Sequence, residues 1–311
     1  MKTITELERN LISDVNTGGL SALPPGVLEK DLLVTSVLRT LSGIDSELKL
    51  VFCGGTCLSK AHGLIDRMSE DIDFKVILPE GLSRTSRSRA LSAFKKQLVA
   101  TLADADFNVL PDGVTAKDEN NYIGLDLLYK SRFPTVASLR SEIKVEISAR
   151  PPLLPTTTLE LRSILDVLVD ASTLGISFRC ISVQETLAEK VLSFLRRTAE
   201  YRAGRSRVDF DDRSVRHIYD VAAIMRVQPI QLLGTEFRSI VEADAVQFKN
   251  QYPEFQADPF GEMRSALTAF QQEGSFEQEY QRFVDELVFG EPILFEDAKQ
   301  LFIIAAQQLL D

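Results

Sequence analysis

The sequence predicts an α+β protein with a small mixed sheet in its N-terminal part and a mainly α-helical C-terminal part. Residues 25–150 alternate between helical apolar spacing and short apolar or alternating runs, in the order helix, strand, helix, strand, helix, strand, strand. After a short strand at 177–183, helical spacing continues almost throughout. Strands concentrated in one part and helices in the other are typical of this class.

The first elements follow from local composition. Residues 1–24 are predicted to be an N-terminal extension, with a short helix and a Gly/Pro-rich turn. The next helix has apolar residues every three or four positions from Val34 to Leu41, the stripe of a helix that packs on one face. The run LKLVFC at 48–53 is a nearly continuous apolar strand, and two glycines end it before a helix predicted to start at Thr56.

The remaining elements are assigned by the same patterns. Polar and apolar residues alternate at 70–78, which predicts a strand with one polar face, and 85–107 has the pattern of a long amphipathic helix. Two further strands are predicted at 121–131 and 142–149. The Pro/Thr-rich connector at 150–158 is the best candidate for a domain boundary.

We therefore predict three segments. An extension at 1–24 precedes an α/β lobe at 25–155, and a mainly helical lobe at 156–311 contributes to the cleft. The length of 311 residues suits one large domain or two ordinary ones.

Composition indicates a soluble globular protein, with 44% hydrophobic and 26% charged residues. Apolar runs fall short of the roughly 20 residues that a membrane span needs, and the charged, amphipathic N-terminus does not resemble a secretory signal. Three scattered cysteines are too few for a disulfide framework or a zinc cluster. We expect a cytoplasmic protein with no membrane partner.

The net charge of −10 argues against non-specific binding to nucleic acid, which depends on phosphate neutralisation. Two basic segments, 84–96 and 196–207, are local exceptions. Because charge runs are usually solvated faces, their significance depends on whether a functional site lies beside them.

A possible phosphate site lies in the stretch VFCGGTCLSKAHGLIDRMSEDIDFKV at 51–76. Gly54 and Gly55 form a tight strand-to-helix turn that lets backbone approach a ligand closely. The unpaired N–H groups of a first helical turn, with the helix dipole, suit a phosphate, and Thr56 adds a hydroxyl. Gly-Gly-Thr turns are common, so on their own these residues favour an ordinary turn.

The same stretch ends in two acids on one strand face, Asp71 and Asp73. They repel each other across roughly 6–7 Å, and aspartate is disfavoured in strands. A hard divalent cation would offset this cost, because Mg²⁺ binds one or two carboxylates together with substrate phosphates. Mg²⁺ is therefore the expected cofactor, with Mn²⁺ as a substitute. The alternative is two solvated acids on an exposed strand.

A third acid is expected on an adjacent strand, and two residues compete for this position. Glu146 lies between apolar neighbours on the face shared with Lys144 and Ser148, and Asp126 has the same pattern. We prefer Glu146 because its strand is longer and more regular, while Asp126 stays open as a rival.

These residues resemble a known family. The pattern of Gly-Gly-Thr followed by Asp-x-Asp resembles the DNA polymerase β-type nucleotidyltransferase superfamily. The longer run GGTCLSKAHGLIDRMSEDIDF is similar to the AbiEii/AbiGii (MenT-like) toxin nucleotidyltransferases, in which a GGT-type start and an R-x-S-x-D-I-D-F ending recur. VQETLAEKVLSFLRR with Lys190 and DDRSVRHIYDVAAI with Asp220 fit the same family, so the resemblance covers roughly 25–230.

The resemblance implies a polymerase β-like, two-lobed enzyme and assigns residues to roles. The implied catalytic residues are Asp71, Asp73, Lys190 and Asp220. The implied nucleotide-binding residues are Gly54, Gly55, Thr56, Lys60, Arg67, Ser69 and Lys190. The implied metal ligands are Asp71, Asp73 and Glu146. The sequence departs from the wider superfamily in two places, with Glu146 where Asp is usual and Thr56 where Ser is common.

The family also implies an activity and partners. We expect an NTP-dependent toxin of an AbiE-like, abortive-infection toxin–antitoxin system, acting in phage defence. It would transfer NMP from NTP to RNA, with the tRNA 3′ end as acceptor, and so block translation. The basic segments 84–96 and 196–207 would grip the tRNA, and a cognate antitoxin would neutralise the toxin. Two alternatives remain: transfer to a protein or small molecule, and a non-catalytic nucleotide- or antitoxin-binding protein. His62 and His217 are interpreted as structural residues.

Overall fold

The computed structural model describes residues 1–136, 139–171, 175–205, 214–248, 251–272 and 276–311. The chain forms two units. Unit 1 comprises Met1–Ile181 and Leu287–Gly290, and unit 2 comprises Ser182–Glu286 and Glu291–Asp311.

Unit 1 contains the sheet and the helices that follow its strands. Its elements in chain order are α1 (Glu6–Thr17), α2 (Pro25–Ser42), β1 (Lys49–Cys53), α3 (Gly54–Lys60), β2 (Asp71–Ile77), α4 (Arg84–Asp104), β3 (Asn108–Lys117), β4 (Tyr122–Leu128), β5 (Glu142–Ser148), β6 (Thr157–Glu160), α5 (Ile164–Leu168) and β7 (Ser177–Cys180).

The described strands form one seven-stranded sheet in the order β3-β4-β5-β2-β1-β7-β6. The pairs β2–β5 and β1–β7 are parallel and the others antiparallel, so the sheet is mixed, as predicted. One face is apolar. Phe52, Phe74 and Phe178 meet there with ring centroids 5.3–5.8 Å apart, a spacing typical of packed aromatic side chains.

The sheet is larger than predicted, because β3 and β6 carry weak sequence signals. Strand β3 contains a proline and a glycine, and its register shifts between Val109 and Val114, which breaks the alternation. Strand β6 starts at the end of the Pro/Thr-rich connector and is mostly exposed. Since β6 and β7 both join the sheet, unit 1 continues to Ile181, whereas the predicted α/β lobe ends at residue 155.

Buried ion pairs fix helix α2 to the sheet. Lys30 pairs with Glu70 (2.6 Å) and Asp31 pairs with Lys60 (2.6 Å), and all four side chains are at most 3% exposed. Burial lowers the pKa of Lys30, and the adjacent Glu70 carboxylate partly offsets this shift. These pairs hold α2 against the start of β2 and the end of α3.

Unit 2 is built from helices, as predicted for the C-terminal part. They are α6 (Val183–Arg202), α7 (Val215–Val227), α8 (Gly234–Phe248), α9 (Pro253–Ala257), α10 (Pro259–Gln272), α11 (Glu277–Leu287, whose last residue belongs to unit 1) and α12 (Phe295–Leu310). Phe194, Phe270 and Phe302 pack edge to face at its centre, 4.8–5.5 Å between centroids. Among the described residues of both units, no helix combines the length and apolarity that crossing a bilayer requires.

Asp31→Asn should destabilise unit 1, because it leaves the Lys60 ammonium buried without its ionic partner. Breaking a buried pair in this way typically costs about 3–5 kcal/mol. Urea unfolding followed by circular dichroism measures the loss. The double variant Asp31→Asn/Lys60→Met should recover part of it, since the unpaired charge is then gone. The control Arg84→Gln breaks a surface pair with Glu119 and should leave the midpoint nearly unchanged. If Asp31→Asn behaves like this control, the pair is not stabilising.

His62 should make stability depend on pH. Its Nε2 donates to the carbonyl oxygen of Ile181 (3.0 Å), and burial lowers the pKa of its imidazole. In the unfolded chain His62 binds a proton at about pH 6.5, whereas in the folded protein it binds that proton only at lower pH. The free energy of unfolding therefore decreases as the pH falls below about 6.5. His62→Gln should show a flatter decline of the unfolding midpoint between about pH 7 and 5.5. Identical slopes for the two proteins would contradict this assignment.

Candidate active site

The predicted acids meet on the polar face of the sheet. Asp71 and Asp73 alternate along β2 with buried apolar residues of the opposite face. In the register, Asp73 lies opposite Cys53 of β1 on one side and opposite Glu146 of β5 on the other. Asp126 lies on β4, one strand farther from β2, and is paired with Lys144. The register therefore favours Glu146 as the third acid.

Gly54 is required at the turn between β1 and α3. It has a φ of +76°, a conformation that favours glycine, and a Cβ built there would lie 2.1 Å from Oδ2 of Asp73. A Cβ on Gly55 would lie 2.7 Å from Nη2 of Arg67 and 2.9 Å from Oγ of Ser69. The glycine pair thus makes room for side chains of the site itself. The structure brings together these five residues, which the sequence predicted separately.

Helix α3 begins at Gly54, two residues before the predicted start at Thr56. The buried Thr56 hydroxyl donates to the backbone carbonyl of Asp71, which ties α3 to the first residue of β2. Thr56 therefore positions the aspartate strand.

Lys60 has a different environment from the one its predicted role needs. Its ammonium is buried and donates to Asp31 Oδ1 (2.6 Å) and to Thr35 Oγ1 (2.8 Å). An ammonium held by these partners inside unit 1 is committed to the internal ion pair. We therefore correct the sequence prediction and leave Lys60 out of the nucleotide-binding set.

Two cations and a tyrosine contact the acids Asp71 and Glu146. Arg140 Nη1 lies 2.9 Å from Asp71 Oδ1, and Lys144 Nζ lies 2.6 Å from Glu146 Oε1. The Tyr122 hydroxyl also donates to Glu146. Burial raises the pKa of Glu146, but the hydrogen bonds from Lys144 and Tyr122 outweigh it and leave the pKa below its usual range. Glu146 is therefore an anion at neutral pH.

Sequence reasoning noticed Lys144 only as a neighbour of Glu146 and missed Arg140 and Tyr122. Strand alternation does place Lys144 on the face of Glu146. Arg140 lies in a loop before β5, and Tyr122 lies on β4, so their contacts depend on tertiary structure.

The residues present fit a divalent cation in part. Two aspartates on one strand face supply the hard oxygen ligands that Mg²⁺ takes together with substrate phosphates. In the part of the chain that the structure describes, no group of three or more His, Cys, Asp or Glu side chains is close enough to hold an ion. In this arrangement Oε1 of Glu146 accepts hydrogen bonds from Lys144 and Tyr122. The residues that fit a divalent cation in this arrangement are therefore Asp71 and Asp73.

Residues 287–290, which are distant in sequence, form hydrogen bonds with the residues that precede the aspartate strand β2. The Met68 N–H donates to the carbonyl of Leu287 (2.8 Å), and the Phe289 N–H donates to that of Asp66 (2.9 Å). Arg67 forms an isolated bridge with Val288. Residues 287–290 belong to unit 1, so these contacts hold the segment that carries Arg67 within that unit. No sequence signal indicated this contact.

Unit 2 brings together the two residues of the later motifs. Lys190 on α6 and Asp220 on α7 form a buried ion pair, with Nζ 2.5 Å from Oδ2. The motif residues are therefore partners within their own unit. Their shared contribution to a cleft stays a prediction.

The basic segment 84–96 is partly neutralised by the protein itself. Arg84 pairs with Glu119, and Arg87 donates to the carbonyl oxygen of Ala149 (2.6 Å). The exposed cations of this segment include Arg84, Arg89 and Lys96.

The basic segment 196–207 is also engaged in internal contacts. Arg196 is buried against Asp244 (2.8 Å), and Arg205 pairs with Glu254. The last two residues of the segment lie outside the described residues. Fewer of its charges are therefore available to RNA than the sequence suggested.

Comparison with known proteins identifies the family. A family model described as "Nucleotidyl transferase AbiEii toxin, Type IV TA system" matches residues 36–302. The chain belongs to the AbiEii toxin family. The suspected resemblance is confirmed, and the chain is a nucleotidyltransferase toxin of a type IV toxin–antitoxin system. Family membership implies an antitoxin partner and an NTP substrate.

A solved structure agrees with the fold. MenT4, a nucleotidyltransferase toxin from Mycobacterium tuberculosis H37Rv, is similar with a TM-score of 0.57 and 17% sequence identity. The similarity covers 97% of this chain and 89% of that one, which confirms the predicted fold class. A search of curated protein sequences finds no match.

Gly54→Ala should impair the site as well as the backbone. The added Cβ collides with the Asp73 carboxylate, and a displacement of about 1 Å at a reacting centre can cost about a hundredfold in rate. The control is Gly63→Ala, at a φ of +61° with no atom within 4 Å of the added Cβ. Both variants should lose about 1–2 kcal/mol to left-handed strain, but only Gly54→Ala should lose nucleotidyl transfer. Equal activity of the two variants would contradict the role of Gly54.

Proposed function

We propose that this chain transfers NMP from an NTP to an RNA acceptor in a divalent-metal-dependent reaction, and that the acceptor is the tRNA 3′ end. The supporting observation is the register that puts Glu146 beside Asp73, with Gly54 packed on the same aspartate, in a nucleotidyltransferase family member. Blocked translation, abortive infection and phage defence would follow in the cytoplasm, where NTPs and tRNA are available.

Asp71 and Asp73 are the proposed ligands of Mg²⁺ or Mn²⁺, with Glu146 as the third. When bound, such an ion neutralises triphosphate charge and lowers the pKa of an attacking hydroxyl. Glu146 is already ionised, but its carboxylate must exchange the hydrogen bonds of Lys144 and Tyr122 to take part.

The proposed triphosphate site is the turn between β1 and α3. Gly54 and Gly55 expose backbone N–H groups there, with Arg67 and Ser69 packed against Gly55. Thr56 orients this turn by its hydrogen bond to the backbone of Asp71. These residues would hold the phosphates and leave the α-phosphorus facing the aspartates.

Lys190 and Asp220 complete the proposal from unit 2. Lys190 would neutralise charge that develops on the leaving pyrophosphate. Its buried partner Asp220 lies 2.5 Å from the Lys190 ammonium and limits the rotamers of that side chain. This role requires the two units to share one cleft, as the family resemblance implies.

The principal alternative is the same chemistry on a protein or small-molecule acceptor. The net charge of −10 favours it, because long-range repulsion opposes RNA binding. Incubation with each labelled NTP, Mg²⁺, total RNA and cell protein separates the two acceptors. Label in RNA supports the proposal, and label in protein alone contradicts it.

Asp73→Asn should reduce label transfer by about a hundredfold or more, because electrostatic stabilisation of the reacting phosphate is lost. Glu146→Gln should also reduce it. The matched control is Asp126→Asn, which removes the rival carboxylate on β4 and should retain most activity. Thermal unfolding of all three variants checks folding. Loss of activity in Asp126→Asn with retention in Glu146→Gln would reverse the assignment of the third acid.

Growth inhibition by the same variants tests the non-catalytic alternative. Asp73→Asn should be harmless when expressed without antitoxin, since toxicity then depends on turnover. Full toxicity of this variant at equal protein levels would show that binding alone inhibits growth. Co-expression of the neighbouring reading frame, the proposed antitoxin, should restore growth of cells that carry the active toxin.

A further inference from the structure

Arg140 and Lys144 lie on the β5 side of the aspartate pair. Arg140 precedes β5 and pairs with Asp71, while Lys144 lies opposite Asp71 in the register and pairs with Glu146. Their side chains are 22% and 28% exposed, so each cation is partly open to solvent beside the acids.

The register gives the aspartate pair two distinct sides. Cys53 of β1 lies on one side of Asp73 and Glu146 of β5 on the other. Gly54, directly after Cys53, carries the proposed triphosphate turn, so the leaving pyrophosphate belongs to the β1 side. Attacking and leaving oxygens lie roughly in line in phosphoryl transfer. The acceptor hydroxyl must therefore approach over β5.

We propose that Arg140 and Lys144 bind backbone phosphates of the acceptor RNA strand next to its reactive 3′-hydroxyl. The inference rests on the proposed function and extends it by assigning the acceptor site. A chain with a net charge of −10 needs cations close to the reaction centre to hold a polyanion. The basic segment 196–207 meets this need poorly, because Arg196 is buried against Asp244.

Both cations are paired with carboxylates that the proposed function assigns as metal ligands. Asp71 Oδ1 holds Arg140 and Glu146 Oε1 holds Lys144. When those oxygens serve as metal ligands, the two cations need another anion, and an acceptor phosphate supplies it. The planar fork of the Arg140 guanidinium suits two phosphate oxygens at once.

The backbone of Arg140 is held in place for this role. Its N–H donates to Glu70 Oε2 (2.8 Å), and its carbonyl accepts from Lys30 Nζ (2.5 Å). Glu70 and Lys30 are themselves a buried pair. Transfer of Arg140 from Asp71 to a phosphate therefore requires only a side-chain movement.

The test measures binding of a short fluorescein-labelled single-stranded RNA with a free 3′-hydroxyl, at a fixed concentration of Mg²⁺ and without NTP, from about 50 to 200 mM salt. Arg140→Gln and Lys144→Gln should each lower the slope of log affinity against log salt by about 0.7, and the double variant by about 1.4. In the labelling assay, KM for RNA should rise while KM for the NTP stays unchanged. Arg140→Lys should restore part of the slope, because it keeps the charge.

Lys49→Gln is the control, because it removes an exposed charge at the far end of β1 and should keep the wild-type slope. Thermal unfolding establishes that the variants are folded. A wild-type slope in the double variant, or a rise in KM for the NTP alone, overturns the inference about Arg140 and Lys144. The proposed function still stands in that case if the wild-type protein transfers label to RNA. If wild-type protein transfers no label to RNA, both are overturned.

Discussion

The carboxylate of Glu70 connects the elements on which the site depends. It accepts from the Lys30 ammonium on α2 and from the Arg140 backbone before β5, and it directly precedes Asp71. Burying these charges is costly unless their partners are well placed. Because both partners lie within hydrogen-bond distance, the pair specifies how α2, β2 and the loop before β5 meet. The geometry of the acids on the sheet depends on this contact.

The site concentrates negative charge and compensates for it locally. Asp71, Asp73 and Glu146 share one face of two adjacent strands, where like charges repel one another. Arg140 pairs with Asp71, and the hydrogen bond from Lys144 helps to keep the pKa of Glu146 below its usual range. The same cations keep the face compact and limit which oxygens are open to a ligand. The same ion pairs therefore affect both the stability of the sheet and the access of a ligand to the carboxylate oxygens.

Local patterns predicted much of the fold. Alternation placed Asp71 and Asp73 on one strand face, and helical spacing predicted α2, α4 and α6. Strand β3 was missed because its proline, glycine and register shift disrupt the period that identifies a strand. Boundaries were less accurate, as α3 shows by starting at Gly54.

The site was predicted less completely, because residue type does not determine the partner. Lys60 and Arg140 are both cations near the motif, yet Lys60 is buried on Asp31 and Arg140 reaches Asp71. The preference for Glu146 over Asp126 rested on strand regularity, whereas strand order gives it a physical basis. Pairing between distant segments decides such cases, and a single sequence carries little information about it.

The brace formed by 287–290 has a consequence for the order of synthesis. The N–H of Met68, three residues before Asp71, bonds the carbonyl of Leu287. A ribosome must add every residue from 69 to 287 after Met68 before that carbonyl exists. The segment that carries Arg67 therefore acquires its final hydrogen bonds only after residues 287–289 have been synthesised. For an enzyme that harms its own cell, this dependence delays completion of the segment beside the aspartates until a stretch more than 200 residues farther along the chain has been made.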